Sequence, residues 1–118
     1  MNIVLLSGDL MATSRVQGAA SRIAAKLLTA TTAEQAIAFC SDETVEVVAV
    51  DLAMSDLEIE PLVNSLKRGT FAPRKVLAFG PHVHEERLAA AREAGCDEVV
   101  SRGQFFAQIE SILGRHAK

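Results

Sequence analysis

Asp51 is the residue of this chain best placed for chemistry. It follows Val47-Val48-Ala49-Val50, a solid apolar run that reads as a buried strand and leaves a carboxylate at the strand's end. Such an acid takes part in a site, caps the next loop, or pairs with a cation such as Arg102. Ser7, Gly8 and Asp9 close another run, Ile3–Leu6, and set a hydroxyl and a second carboxylate at a second strand end. Asp9 either coordinates a cation or caps the first helix, and its place a few residues ahead of that helix favours the cap. His82 and His84 lie two apart after a further strand. They offer imidazoles to a metal or a protonation switch near neutral pH. Without a third ligand, the spacing reads as a polar loop in which His84 begins a helix. Cys40 and Cys96 lack a neighbouring base and read as small buried apolar groups.

The elements that must position these residues alternate. Strands are expected at Asn2–Leu6, Leu27–Ala30, Val45–Val50, Lys75–Phe79 and Glu98–Ser101. Helices are expected from Ser14 to about Lys26 with Thr13 or Ser14 as cap, and from a Thr31-Thr32-Ala33-Glu34 capping box through Phe39. Three more follow, over Leu57–Arg68 with Pro61 near the first turn, Glu85–Ala94 ended by Gly95, and Phe105–Leu113. Five strand–helix units of this kind imply a parallel sheet with helices on both faces, and ligands on such sheets sit beyond the carboxyl ends of the strands. The crevice is therefore expected among Ser7–Asp9, Asp51–Ser55, Gly80–His84 and Ser101–Gln104.

A chain of 118 residues makes one domain, 1–118. Twelve Lys and Arg against 15 Asp and Glu give a charge of −3, and the chain has no Trp or Tyr, which speaks against a nucleic-acid binder. No apolar run is long enough for a signal or membrane span, so a cytoplasmic location is expected. Between Lys26 and Lys67 there is no Lys or Arg but eight acids, among them Glu34, Asp42, Asp56 and Glu60. Arg15, Arg22 and Lys26 decorate the first helix opposite. A solvated charge pattern explains this, and a dipolar surface would also steer a charged protein partner.

Two stretches resemble the receiver domain of bacterial response regulators, CheY-like domains of two-component signalling and phosphorelay. Val47-Val48-Ala49-Val50-Asp51-Leu52-Ala53-Met54 is similar to the family's phospho-acceptor strand. Val76 through Ala94-Gly95-Cys96-Asp97-Glu98 is similar to its fourth strand, Ala-rich helix and turn into strand five. The resemblance covers essentially the whole chain in element order and implies a flavodoxin-like (βα)5 doubly wound five-stranded parallel sheet. It also implies that Asp51 accepts a phosphoryl group from a histidine kinase. Magnesium would then be held by Asp51, an acidic pair after strand one and the Ala53 carbonyl, and a Thr or Ser after strand four and a Lys after strand five would grip the phosphoryl oxygens.

Residue by residue, the match is incomplete. Ser7-Gly8-Asp9 stands where the family has two acids, which leaves Asp9 one position late. Phe79-Gly80-Pro81 replaces apolar-Thr/Ser-Ala, and Ser101-Arg102-Gly103 replaces the Lys-Pro pair, so Arg102 keeps a charge but not a compact ammonium. The expectation is therefore a pseudo-receiver. It is not an enzyme and has no catalytic residue, and it acts through a sensor kinase, phosphotransfer or output protein, or as a homodimer through its last helices. Two alternatives stand beside it. One is a phospho-accepting receiver with Arg102 in the Lys role and a weak magnesium set of Asp9, Asp51 and Ala53. The other is a small-ligand-binding flavodoxin-like domain; in every reading Ser7, Gly80 and His82 line the crevice.

Overall fold

The solid apolar runs extend into strands because β-branched and Leu side chains can be buried on both faces of a pleated sheet. In the computed structural model, which describes residues 1–114, they are β1 (Asn2–Leu6), β2 (Lys26–Ala30), β3 (Val47–Asp51), β4 (Lys75–Gly80) and β5 (Glu98–Ser101). All neighbours pair in parallel, in the order β2-β1-β3-β4-β5. Between them run α1 (Leu10–Arg22), α2 (Ala33–Asp42), α3 (Ile59–Arg68) and α4 (Glu85–Ala94), and β5 is followed by α5 (Arg102–Ala107) and α6 (Ile109–Gly114).

Alternate residues of each central strand feed opposite cores. Val4, Leu6, Val48, Val50, Val76 and Ala78 pack under α2, α3 and α4 with Ala36, Leu62, Val63, Leu66 and Leu88. Ile3, Leu5, Val47, Ala49, Leu77 and Phe79 pack under α1, α5 and α6 with Val16, Ala20, Phe105, Ile109 and Leu113. The expected doubly wound sheet is thus present, with two apolar layers of close-packed side chains.

Several boundaries differ from expectation. α1 starts at Leu10 because Asp9, not Thr13 or Ser14, caps it, with one carboxylate oxygen accepting from the Met11 and Ala12 N–H groups at 2.9 and 3.4 Å. It ends at Arg22, and Lys26 already belongs to β2. There the Ala25 N–H reaches the Ala20 carbonyl at 2.8 Å and the Ala24 N–H the Ser21 carbonyl at 3.1 Å, which forces Ala24 to φ 57°. The α2 box is shifted by one residue. Thr32 Oγ1 accepts from the Gln35 N–H at 3.2 Å, and the Gln35 side chain returns to the Thr31 N–H at 2.8 Å. α3 begins at Ile59 rather than Leu57, β3 runs Val47–Asp51 rather than Val45–Val50, and β4 extends through Gly80. α4 has the expected limits, with Gly95 at φ 101°. The single last helix is two, broken at Gln108. Ser101 caps the first of them through the Gln104 N–H at 3.1 Å, so that helix opens at Arg102.

Candidate functional site

Strand register decides which chemistry-bearing residues meet. Leu6 pairs with Val50, so the next residues along, Ser7 and Asp51, stand side by side at the carboxyl edge. Ser7 Oγ donates to Asp51 Oδ2 at 2.7 Å, and the Ala53 N–H donates to Asp51 Oδ1 at 3.0 Å. Ser7 and Asp51 are the two buried polar side chains among the described residues, 4% and 2% exposed. Burial of a carboxylate is tolerable because each oxygen receives a hydrogen bond. Ser7 Oγ also accepts from the Asp9 N–H at 3.1 Å, so one hydroxyl ties Asp51 to the β1–α1 loop.

Arg102 does not pair with Asp51. Its guanidinium donates to Asp9 Oδ2 at 2.7 Å, which joins the start of α5 to the start of α1. That hydrogen bond, followed by those from Met11 and Ala12, holds the Asp9 carboxyl below its ordinary value. Asp9 is therefore both helix cap and ion-pair partner.

The end of β4 is closed sterically. A Cβ placed on Gly80 would lie 3.1 Å from Leu52 Cβ, so the β3–α3 loop rests directly on the glycine. Arg87 secures the same loop from α4, with Nη1 donating to the Leu52 carbonyl at 2.6 Å. Nothing in its sequence context distinguished Arg87, because the carbonyl it meets lies 35 residues away. Ala53 is exposed between these anchors.

His82 and His84 are both exposed and do not converge. His82 lines an open notch with Arg102 and Phe106, whereas His84 sits at the N-terminus of α4. Among the described residues no three His, Cys, Asp or Glu side chains gather to hold a metal. Magnesium demands several oxygen ligands in near-octahedral array. Asp51 is buried with a hydrogen bond on each oxygen, Asp9 is paired with Arg102, and no third acid joins them among the described residues, so this donor set does not fit the ion. Cys40 is buried and Cys96 half-buried, and burial pushes both thiols up to about 11. Among the described residues no helix is long and apolar enough to cross a membrane.

No family model and no curated protein matches the chain. Solved structures do. A response regulator from Hahella chejuensis superposes with a TM-score of 0.86 at 10% identity, covering 99% of this chain and 95% of that one. The receiver domain of a sensor histidine kinase from Pseudomonas aeruginosa, with a magnesium ion in its active-site cleft, gives 0.83 at 11% identity over 98% and 95%. A chemotaxis response regulator of Vibrio cholerae, CheY4, gives 0.79 at 14% identity over 97% and 96%. The expected resemblance is thus carried by the backbone: this chain has the CheY-like, flavodoxin-like fold of response-regulator receiver domains.

Proposed function

We propose that the chain is a receiver-like module of two-component signalling that works by protein–protein contact, with phosphorylation at Asp51 impaired or lost. One observation carries this reading: Asp51 is buried, and both of its carboxylate oxygens are taken by the Ser7 hydroxyl and the Ala53 amide. Phosphoryl transfer depends on an accessible oxygen and on positive charge placed around the moving group. Here the cation at the end of β5 pairs with Asp9 and not with Asp51, and Gly80 carries no hydroxyl. The module is not an enzyme in this reading. It sits in the cytoplasm and answers a sensor kinase, a phosphotransfer protein or an output protein. Self-association through the last helices would use their polar faces, since Phe105, Ile109, Ile112 and Leu113 are buried in the core.

The test is an NMR titration of labelled protein with beryllofluoride and magnesium, with Asp51→Ala as control. The expected result is no saturable shift at Asp51, Gly80 or Arg102 at millimolar magnesium. Saturable shifts that vanish in Asp51→Ala would overturn the reading and assign a phospho-accepting switch.

A further inference from the structure

Arg102 also belongs to a second cluster of charge, which does not include Asp9. Arg15 of α1, His82 of the β4–α4 loop, and Arg102 and Phe106 of α5 line an open notch of about 540 Å³ together with Pro81 and Gly103. Both guanidinium carbons stand over the same Phe106 ring, Arg15 at 4.6 Å and Arg102 at 4.9 Å from its centroid. The negative face of an aromatic ring stabilises a cation above it, so Phe106 helps position both guanidinium groups. Asp9 balances Arg102, but no carboxylate among the described residues is within ion-pair reach of Arg15 or His82, and none lines the notch. Arg15 has one Nη on the Phe106 carbonyl at 3.3 Å, and its other donors have no hydrogen-bond partner among the described residues.

We propose that this notch is an anion site for a phosphoryl group. A planar carboxylate is satisfied by a single guanidinium fork. Donors arriving from three separate elements instead suit a tetrahedral dianion. The site is distinct from Asp51, so it holds whether or not Asp51 accepts phosphate.

The test is a magnesium-free NMR titration of the labelled full chain with inorganic phosphate at constant ionic strength, with acetate as control. Saturable shifts at Arg15, His82 and Gly103 are expected for phosphate, with binding weakened about tenfold in Arg15→Gln for the loss of a charge-assisted hydrogen bond. Arg15 and His82 are exposed, so Arg15→Gln and His82→Ala should remain folded, which cooperative melting of each variant checks. Shifts that match acetate's, or that survive Arg15→Gln undiminished, overturn the proposal. A phosphoserine peptide and its unphosphorylated twin then separate the sources. Tighter binding of the phosphopeptide than of free phosphate assigns a phosphorylated protein segment, and equal binding assigns a free phosphate ester. Because magnesium and beryllofluoride are absent, failure here leaves the reading of Asp51 untouched.

Discussion

The Ser7 hydroxyl and the Asp51 carboxylate, 44 residues apart in the chain, meet at 2.7 Å across the ends of β1 and β3. The same hydroxyl accepts the Asp9 N–H, and Asp9 in turn holds Arg102. Three strand ends are therefore linked by one run of polar contacts, and Asp51, the acid at one end of it, is shielded from water.

Removing the hydroxyl leaves Asp51 Oδ2 buried without its partner. Ser7→Ala should cost about 1–3 kcal/mol in urea unfolding, the penalty for an orphaned buried acceptor. Ser7→Ala with Asp51→Ala should cost less than the sum of the two single changes, because neither partner then stands alone. Strict additivity would show that the hydrogen bond contributes nothing.

Asp9 makes stability depend on acid. Its folded carboxyl titrates below its ordinary 3.8, so its contribution is fully present above that value and is lost as pH falls through the lower folded value. Parent and Asp9→Asn should differ in Tm at neutral pH and converge in strong acid. A gap that persists unchanged would put the stabilisation elsewhere.

At the end of α1, Ala24 occupies the left-handed region that glycine enters freely. Relief of a strain of about 1–2 kcal/mol exceeds the entropy cost of a more flexible unfolded chain. Ala24→Gly should therefore stabilise the fold by about 0.5–1 kcal/mol, readable as a higher urea midpoint with an unchanged slope.

Gly80 is needed for space. Gly80→Ala should cost about 1–3 kcal/mol, because the new Cβ meets Leu52 Cβ, a side-chain atom whose place the backbone fixes and which no rotamer change moves away. Gly80→Thr, which supplies a hydroxyl at the end of β4, should cost at least as much. Neutral variants in chemical denaturation would mean that the β3–α3 loop yields.

The two thiols should be poor nucleophiles at neutral pH. Both are raised to about 11, so labelling by a disulfide reagent should be slow at pH 7 and accelerate steeply as pH climbs. Cys96, half-buried, should react before the buried Cys40. Fast labelling at pH 7 would contradict this assignment.

The sequence by itself determined the five strands, the helices between them and the edge at which polar residues gather. Solid runs such as Val47–Val50 and breaks such as Gly95 are local signals that neighbours along the chain impose. Asp9 as cap was legible for the same reason, although α1 began earlier than its apolar spacing suggested. The last helix reads as one element because Phe105, Ile109 and Leu113 keep helical spacing across the break at Gln108. Only the tertiary structure decided the partners: Ser7 for Asp51, Asp9 for Arg102, Arg87 for the Leu52 carbonyl, and Leu52 against Gly80. Asp9 and Arg102 are 93 residues apart, and their meeting depends on strand order and on where each loop turns. Residue type shows which groups carry charge or a proton. Which of them neutralise one another depends on distances of a few ångströms between ends of different elements, and those exist once the sheet has assembled.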